Sequence, residues 1–428
     1  MPQDHRHHLT QHAYAVVLAG GRGSRLYELT DWRAKPAVPF AGQLKIIDFA
    51  LSNCVNSGLR RIGVLTQYKA QSLIRHIERG WGFLAATLGE YVDIVPAQQQ
   101  HGARWYTGTA NAVWQNVDVL LETRPQHVLV LGGDHVYKMD YAVMLQEHVE
   151  CGAAVSIACF EVPLEDASVL GVMTVDDDDR VTAFEEKPAI PTPIPGRPTH
   201  ALVSMGIYVF DIDVLVELLG GDADDTDSTH DFGKDILPSL VGRCPVHAHR
   251  FAASCVNMVD DRPYWRDVGT VDAYWEANID LTKVVPDLNL YDDDWPILSL
   301  QSQLPPAKFV FDDVGRRGQA LNSLVSSGCI VSGATVRHSV LFTKVRVEDG
   351  AHVEDSVVLP GATIGKNATL RRVVIDKYCE LPEGFEAGLD PAADRARGFR
   401  VTERGITLVT PEMIGQHIRA AKLSHEGK

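Results

Sequence analysis

Long hydrophobic runs, paired cysteines and an excess of basic residues are all missing from this 428-residue sequence. No apolar stretch approaches the roughly 20 residues that a membrane-spanning helix needs. The seven cysteines are scattered without a CxxC pair, which argues against a disulfide framework or a zinc site and favours reduced thiols in a cytoplasmic protein. Forty Lys and Arg against 56 Asp and Glu give a net charge of −16. We therefore expect neither a membrane nor a nucleic acid as partner, whereas small phosphorylated ligands need only a few local cations.

The polar start of the sequence lacks the apolar core of a signal peptide, and we expect residues 1–13 to form a disordered tail. Its four histidines are irregularly spaced, which favours solvated side chains over metal ligands. Acidic runs at 176–179 and 222–227 lack the ligand spacing and the turn glycine of a calcium loop, and we interpret them as solvated turns.

Short apolar runs alternate with amphipathic stretches from residue 14 to about 290, within a catalytic domain that we expect to span residues 14–299. Helical periodicity marks Gln71–Arg79 and Tyr141–Glu150. The apolar runs predict buried strands at Tyr14–Leu18, Ile62–Leu65, Val128–Leu131 and Val155–Cys159. This alternation predicts an α/β domain, a doubly wound Rossmann-like parallel sheet that binds its ligands at the carboxyl ends of the strands.

A different period begins after about residue 320. Aliphatic residues recur at steps of five or six, and three such steps sum to 17 residues. The matching sets are Ile330, Val347 and Ile364; Val336, Val353 and Leu370; and Leu341, Val358 and Ile375. A six-residue repeat with one shortened corner predicts a left-handed parallel β-helix over residues 321–428, with 300–320 as linker. A sandwich would instead show period-two alternation and hairpin turns. Three coils bury little surface, so we expect this domain to pack on the first domain or on another subunit.

A glycine-rich segment follows the first predicted strand, with Gly20, Gly21 and Gly23 preceding Arg25 and Lys35. It is not a Walker loop, since no Gly-Lys-Ser/Thr follows, and the third glycine of the dinucleotide motif is missing. Glycines there let backbone N–H groups approach a phosphate chain, and the two cations add charge beside it. A tight strand–helix turn is the structural alternative, but the two cations favour a phosphate site.

Several longer motifs make the chain resemble the sugar-nucleotide pyrophosphorylases, and among them the bacterial glucose-1-phosphate adenylyltransferases (ADP-glucose pyrophosphorylases). The resemblance covers residues 14 to about 415. It rests on LAGGRGSRL (18–26) with RAKPAVPF (33–40), IIDFALSNCVNSG (46–58), PAQQ (96–99), WYTGTANAV (105–113), GGDHVY (132–137), EEKP (185–188), SMGIYVF (204–210), STHDFGKD (228–235), YWRDVGT (264–270) and LNSLVSSGCIVSG (321–333).

The resemblance implies transfer of an adenylyl group from ATP to α-glucose 1-phosphate, giving ADP-glucose and pyrophosphate. It also implies that this is the committed, regulated step of bacterial glycogen synthesis and that the chain works as a homotetramer. The sugar phosphate is already ionised, so positioning and charge neutralisation matter more than a base. Two carboxylates holding Mg²⁺ are the expected apparatus.

Roles in catalysis, metal binding and ATP binding carried over by the resemblance fall on five side chains. Asp134 also stands where a strand ends after two glycines, and together with Asp267 it is expected to bind Mg²⁺. Arg25 and Lys35 are expected to neutralise the triphosphate, and Gln98 to pair with the adenine edge. The structural alternatives are a turn-capping role for Asp134 and an ion pair between Asp267 and Arg266.

Binding of glucose 1-phosphate is assigned by the same resemblance. Lys187 is expected to hold the phosphate, and Glu186 and Ser204 to contact sugar hydroxyls. Tyr106 matches the family's tyrosine near the sugar phosphate, and Gly171 matches a backbone contact to the sugar. Without the resemblance, Glu186 and Lys187 would be interpreted as part of a solvated charge run.

Regulation is where the sequence departs from enterobacterial relatives, which bind an activating sugar bisphosphate and inhibitory AMP. Arg33 matches one of their basic effector residues, while Lys45 and Lys377 replace arginines. Trp32 stands in place of the activator-binding lysine, and an indole has no charge to pair with phosphate. A sugar-phosphate or carboxylate activator and an AMP- or ADP-type inhibitor are therefore expected, with the activator's identity open.

Three other functions are alternatives to adenylyl transfer to glucose 1-phosphate. A pyrophosphorylase for another base would share the glycine loop, but we would not expect it to carry PAQQ, SMGIYVF and YWRDVGT together. A catalytically silent regulatory subunit would be expected to lose the metal carboxylates or Arg25 and Lys35, which are all present. An acyltransferase β-helix usually has more coils and a catalytic histidine in a cleft, which His338 and His352 do not signal.

Overall fold

A computed structural model describes residues 2–98, 105–260 and 262–416. Gln99, the last residue of the PAQQ motif, lies outside the described residues. The chain forms two compact units. The first comprises residues 1–21, 47–265 and 291–298, and the second comprises residues 22–46, 266–290 and 299–428. These boundaries differ from the predicted division at 299/321, because two segments of the predicted catalytic domain belong to the second unit.

The α-helices of the described residues are α1 (Pro2–Gln11), α2 (Ile47–Asn56), α3 (Gln71–Gly80), α4 (Thr109–Trp114), α5 (Val117–Thr123), α6 (Tyr141–Glu150), α7 (Ile212–Ala223), α8 (Leu237–Leu240), α9 (Val271–Asp280) and α10 (Pro391–Ala396).

The strands of the first unit, with one that crosses into the second, are β1 (Ala13–Leu18), β4 (Arg61–Thr66), β5 (Tyr91–Pro96), β6 (His127–Gly132), β7 (His135–Tyr137), β8 (Val155–Pro163), β9 (Gly171–Val175), β10 (Val181–Glu186), β11 (His200–Asp211), β12 (Val246–Arg250) and β13 (Trp265–Asp267). The second unit contributes β2 (Pro39–Phe40) and β3 (Leu44–Lys45).

The remaining strands of the second unit are β14 (Lys308–Val310), β15 (Asp312–Asp313), β16 (Arg316–Arg317), β17 (Gln319–Leu321), β18 (Leu324–Val325), β19 (Ile330–Ser332), β20 (Thr335–Arg337), β21 (Val340–Leu341), β22 (Arg346–Val347), β23 (His352–Glu354), β24 (Val357–Val358), β25 (Thr363–Ile364), β26 (Thr369–Arg371), β27 (Val373–Ile375), β28 (Glu380–Leu381), β29 (Glu386–Ala387), β30 (Arg400–Val401) and β31 (Thr407–Val409).

A large sheet forms the centre of the first unit, with strand order β10-β9-β11-β6-β1-β4-β5 and with β8 joining β11 to β12. Neighbouring strands from β6 to β5 are parallel, as the strand–helix alternation predicts. The sequence analysis did not predict the antiparallel part, in which β11 pairs with β6, β8 and β9. Buried aliphatic residues along β1, β6 and β11 pack in one core, so the parallel strands are buried as expected.

The amino-terminal segment differs from the predicted disordered tail. Residues 2–11 form α1, and Leu9 and Thr10 are buried. Thr10 packs over Gly58, where an added Cβ would lie 3.2 Å from the threonine hydroxyl oxygen. Burial of these two side chains outweighs the polar composition that predicted disorder.

A parallel β-helix forms most of the second unit. Its three faces are the sheets β14-β19-β22-β25-β28, β17-β20-β23-β26-β29 and β18-β21-β24-β27-β31-β30. Two of the three predicted columns are confirmed: Val336 pairs with Val353 and then Leu370, and Leu341 pairs with Val358 and then Ile375.

The third column is shifted by one residue at its start. Val331, not Ile330, pairs with Val347 and is fully buried, while Ile330 is half-buried. The first coil is therefore one residue shorter than predicted. The predicted linker is also partly wrong, because β14, β15 and β16 lie within 300–320 and β17 begins there, and β14 already pairs in parallel with β19.

The segments 22–46 and 266–290 join the β-helix within the second unit. The Tyr274 hydroxyl in α9 donates a hydrogen bond to the Pro39 carbonyl oxygen at 2.5 Å. The Trp275 indole N–H donates to the carbonyl oxygen of Asp355 in the β-helix at 2.7 Å. Among the described residues, no helix combines the length and the apolar character that crossing a membrane requires.

Candidate active site

Asp134 occupies the turn directly after β6, next to the carboxyl end of β1. In this turn the Gly133 N–H donates to the Leu18 carbonyl oxygen at 3.0 Å, which fixes the turn on the neighbouring parallel strand. The Asp134 carboxylate is half-buried, with one oxygen 3.5 Å from Nε2 of His135. Gly20, which follows β1, lies at the same edge of the sheet. The first unit thus brings the start of the glycine loop and one predicted metal carboxylate to adjacent strand ends.

The rest of the glycine loop belongs to the second unit, where Gly23 begins the 3₁₀ turn Ser24–Thr30. Gly23 has φ of +65°, and a Cβ there would lie 2.8 Å from Cβ of Lys35. The Thr30 hydroxyl donates to the Gly23 carbonyl oxygen at 3.1 Å. Only glycine fits without strain, because the backbone needs a left-handed conformation and Lys35 occupies the space of a side chain.

Asp267 joins the two predicted phosphate-neutralising cations in the second unit. Its Oδ1 lies 2.6 Å from Nζ of Lys35, and its Oδ2 lies 3.2 Å from Nη2 of Arg25. Lys35 is only 4% exposed, whereas Arg25 is exposed. A buried ammonium needs a charged partner to offset its lost hydration, and Asp267 supplies it. The sequence alternative, which paired Asp267 with Arg266, missed this long-range partner.

Four of the residues predicted to bind sugar phosphate are associated within the first unit. Glu186 pairs with Gly171 across β10 and β9, where a Cβ on Gly171 would lie 2.9 Å from Oε2 of Glu186. Lys187 donates to Oε1 of Glu186 at 2.7 Å and keeps 58% of its side chain exposed. Burial raises the pKa of Tyr208. A hydrogen bond with Ser204 opposes that shift and the charge of Glu186 adds to it, so Ser204 and Glu186 both lie near Tyr208.

Tyr106 and Gln98 lie close together elsewhere in the first unit. The Tyr106 hydroxyl accepts a hydrogen bond from Asn116 Nδ2 at 2.7 Å. Burial raises the pKa of Tyr106, while hydrogen bonds from Asn116 and the Gln98 backbone oppose that shift. The Gln98 side chain is exposed beyond the end of β5. Its amide is therefore accessible to a ligand at that strand end.

The three predicted effector-binding cations cluster in the second unit. Arg33 is buried and donates two hydrogen bonds of 2.9 Å to the two carboxylate oxygens of Asp376. Burial, together with the positive charges of Arg33 and Lys45, lowers the pKa of Lys377 to about 7, although Asp376 acts in the opposite direction. The sequence predicted the cations but missed Asp376. Its position beside Lys377 was the available signal.

Trp32, at the position of the expected activator-binding lysine, is 53% exposed. Its indole N–H donates to Glu412 Oε1 at 3.2 Å. Arg372, a β-helix residue that could supply the missing positive charge, lies over the Trp275 ring at 5.0 Å and donates to the Arg404 carbonyl oxygen. Arg371 lies 3.7 Å from Glu354. Both arginines therefore have partners of their own.

Asp231 and Gly233 are further residues near the sugar-phosphate group that sequence reasoning left without a role. The Thr109 hydroxyl donates to Asp231 Oδ2 at 3.0 Å, and Asp231 in turn accepts from the Gly233 N–H. A Cβ on Gly233 would lie 2.6 Å from Oε2 of Glu186. The STHDFGKD motif contains both residues and was the signal that could have found them.

Family models match the chain in two places. The one described as "Nucleotidyl transferase" covers residues 14–284, and the one described as "GlmU-like, C-terminal hexapeptide" covers residues 305–409. The first match spans more than half of the chain and includes the glycine loop and both predicted metal carboxylates. The chain is therefore a nucleotidyl transferase with a carboxy-terminal hexapeptide-repeat domain.

Similar proteins with assigned names show which family of nucleotidyl transferases the chain belongs to. The glucose-1-phosphate adenylyltransferase of Nitrosospira multiformis is 62% identical over 420 residues, which cover 98% of this chain and 99% of the relative. Those of Nitrosomonas europaea and Methylobacillus flagellatus are 62% and 59% identical, and each match covers 96% of this chain and at least 95% of the relative. The chain belongs to the glucose-1-phosphate adenylyltransferase family.

Replacing Gly23 with alanine tests the packing of the loop on Lys35. We expect Gly23→Ala to lower kcat/KM at least about 10-fold, because strain of about 1–2 kcal/mol and the contact with Cβ of Lys35 displace the lysine. Gly221→Ala is the matched control, since nothing lies within 4 Å of a Cβ there. Steady-state kinetics of both variants provide the measurement, and full activity of Gly23→Ala would contradict the role given to this contact.

Proposed function

We propose that this chain transfers the adenylyl group of ATP to α-glucose 1-phosphate, forming ADP-glucose and pyrophosphate, as the regulated committed step of glycogen synthesis. Family membership supports the reaction class. The observation that carries the proposal is the binding of Lys35 and Arg25 to one carboxylate beside the glycine loop. This arrangement presents two fixed positive charges where a triphosphate would bind.

Charge neutralisation is the main chemical task of these residues. An oxygen of the sugar phosphate attacks the α-phosphorus, the bond to the bridging oxygen breaks, and negative charge accumulates on the departing pyrophosphate. Lys35 and Arg25 are suited to stabilise that charge, and Gly23 allows the backbone to lie close to the phosphates. No group needs to remove a proton from the attacking phosphate, since it is already ionised.

The metal in this proposal is Mg²⁺, with Asp134 and Asp267 as its protein ligands. Carboxylate oxygens are the hard donors that Mg²⁺ prefers, so the donor set fits the ion. When bound, the cation supplies Lewis-acid stabilisation of the phosphate oxygens. Asp267 has a second task in this chain, because the same carboxylate holds Lys35 and Arg25.

Glucose 1-phosphate is proposed to bind the group formed by Gly171, Glu186, Lys187 and Ser204. Lys187 supplies an exposed positive charge for the phosphate. Glu186 is less exposed and offers carboxylate oxygens to sugar hydroxyls. Release of Lys187 from Glu186 would free both groups for the substrate, and Tyr106 is proposed to lie near the sugar phosphate.

Pyrophosphate release with a panel of nucleotides tests the proposed reaction. With glucose 1-phosphate and Mg²⁺ present, we expect ATP to give a kcat/KM at least about 10²-fold above those of UTP, dTTP and GTP, because a site that hydrogen-bonds one base leaves polar groups unpaired with another. Preference for a pyrimidine or guanine nucleotide would favour the pyrophosphorylase for another base. Absence of turnover with every nucleotide would favour the silent regulatory subunit.

Lys187→Ala tests which of the two substrates this lysine binds. Loss of one charge-assisted phosphate contact, about 1.5–3 kcal/mol, should raise the KM for glucose 1-phosphate about 10- to 100-fold and leave the KM for ATP nearly unchanged. Lys283→Ala is the matched control, because Lys283 is also an exposed lysine paired with a carboxylate, that of Asp280. A rise in the KM for ATP instead would show that Lys187 is assigned to the wrong substrate.

For regulation we propose that Lys377, Lys45 and Arg33 form an anion site for a sugar-phosphate or carboxylate activator, with an AMP- or ADP-type inhibitor acting against it in a homotetramer. Burial lowers the pKa of Lys377 most, and repulsion by the positive charges of Arg33 and Lys45 adds to that shift. A bound anion would relieve this repulsion and favour the charged lysine. Asp376 neutralises part of the cluster through Arg33. With a pKa of about 7, Lys377 is only partly charged at neutral pH and becomes fully charged when an anion binds.

Trp32→Lys tests whether the missing lysine limits the choice of activator. We expect fructose 1,6-bisphosphate to activate the natural chain weakly, and Trp32→Lys to lower its half-activating concentration at least about fivefold, because each phosphate needs a partner cation. Activator titrations of both chains provide the measurement. Trp32→Gln is the control, since it removes the indole without adding charge.

The same titrations, repeated at about pH 6 and about pH 8, bracket the Lys377 pKa of about 7. Activation should be stronger at the lower pH, where Lys377 is protonated.

A strong response of the natural chain to fructose 1,6-bisphosphate, unchanged by Trp32→Lys, would exclude a role for Trp32 in effector choice.

A further inference from the structure

Two histidines and an aspartate meet in the first unit, at the opposite end of β6 from Asp134. His127 begins β6 and pairs in register with Asp211, the last residue of β11, while His148 lies in the last turn of α6. His127 Nδ1 lies 2.9 Å from Oδ1 of Asp211, and His148 Nε2 lies 3.2 Å from the same oxygen. Three elements distant in sequence therefore direct one ligand atom each to a common point, with all three atoms within 4.8 Å of one another.

We propose that His127, His148 and Asp211 form a binding site for a divalent transition cation, with Zn²⁺ as the best fit. Two imidazole nitrogens and one carboxylate oxygen are a donor set that Zn²⁺ takes, leaving one position of a tetrahedron for water. Tetrahedral zinc bonds of about 2.0–2.1 Å place donor atoms roughly 3.3 Å apart, and the two nitrogen–oxygen distances of 2.9 and 3.2 Å are close to that spacing. Mg²⁺ is a poor fit, because it prefers oxygen donors and near-ideal octahedral geometry.

The surroundings of His148 support a ligand role. Its ring is 1% exposed, and its Nδ1 lies 2.8 Å from the Ser156 hydroxyl. In the chain without a cation, Nε2–H donates to the Asp211 oxygen and Nδ1 accepts from the Ser156 hydroxyl. Binding of a cation uses the other tautomer, in which Nδ1–H donates to Ser156 and the lone pair of Nε2 binds the cation. A second hydrogen bond that orients a histidine in this way is typical of metal-binding imidazoles.

Asp211 brings a negative charge to the proposed site and leaves the site open to solvent. Burial alone would raise its pKa, but hydrogen bonds from His127 and His148 outweigh burial and hold the pKa well below its ordinary value. The Asp211 side chain is 41% exposed, so an ion can enter from solvent beside it. It makes no capping hydrogen bond at the start of α7, which leaves the carboxylate available for the histidines.

The position of the site indicates its effect. β6 runs from His127 to Gly132, so the site and Asp134 are separated by roughly 20 Å of extended chain. A cation there cannot contact reacting phosphates, but it would join β6, β11 and α6. Binding only to the folded chain stabilises it by mass action, so Zn²⁺ should raise the thermal unfolding temperature.

Zinc binding by the full-length chain, freed of metals with a chelator and kept in excess Mg²⁺ to occupy the catalytic carboxylates, tests the proposal. Calorimetric titration with Zn²⁺ should show one more equivalent per chain for the natural sequence than for His127→Gln. Co²⁺ should give the visible bands of a tetrahedral site in the natural chain only. Zn²⁺ should raise the unfolding midpoint of the natural chain by several degrees and leave that of His127→Gln unchanged.

Two further variants keep the test decisive. Asp211→Asn preserves volume and should also lose one equivalent, even if His127→Gln folds poorly. His247→Gln is the matched control, because His247 and His249 bind different oxygens of Glu147 and do not share one ligand point. Equal zinc stoichiometry in the natural chain, His127→Gln and Asp211→Asn would overturn the proposal and leave a hydrogen-bonded network without a metal.

Discussion

The ion pair between Lys35 and Asp267 is the interaction on which the arrangement of the proposed phosphate-binding cations depends. Lys35 is almost completely buried, and a buried ammonium is unstable without a charged partner. Asp267 supplies that partner and holds Arg25 with its other oxygen, so one carboxylate fixes two cations. Gly23 completes the arrangement, because its missing side chain leaves room for Lys35. Phosphate chemistry gains most from charges that are already in place, since no reorganisation is then needed as the reaction proceeds.

Periodic patterns in the sequence predict buried strands and the repeating coils of the β-helix. Strands β1, β4, β6 and β8 and two of the three inward columns of the β-helix follow from apolar spacing, because burial dictates which positions are apolar. The spacing did not predict β5, and β8, expected in the parallel sheet, pairs antiparallel with β11. Predictions failed where local composition does not determine packing. Helix α1 is polar but buries Leu9, and the first β-helix coil is one residue short, so that Val331 replaces Ile330. β11 pairs antiparallel with three strands, and no period in its own sequence specifies those neighbours.

The sequence offers candidate residues for the site, but it does not predict the contacts among them. Motif resemblance marked Lys35, Asp267 and Glu186, since each stands in a recognisable segment. It could not reveal that Asp267 bridges two cations, nor that Asp376 neutralises Arg33, because these partners lie hundreds of residues apart in the chain. The metal-like cluster at Asp211 was missed for the same reason. Its two histidines are separated in sequence and belong to no motif, and only the fold brings them to one carboxylate oxygen.

A double-mutant cycle on Lys35 and Asp267 tests most directly whether the carboxylate acts by holding the lysine. The variants are Lys35→Met, Asp267→Asn and the two combined, with kcat/KM for ATP measured at saturating glucose 1-phosphate and Mg²⁺. If Asp267 positions Lys35, removal of the carboxylate already removes the lysine's contribution, and the double variant should be no less active than Asp267→Asn alone. Losses that multiply as if the two residues acted independently would contradict the account.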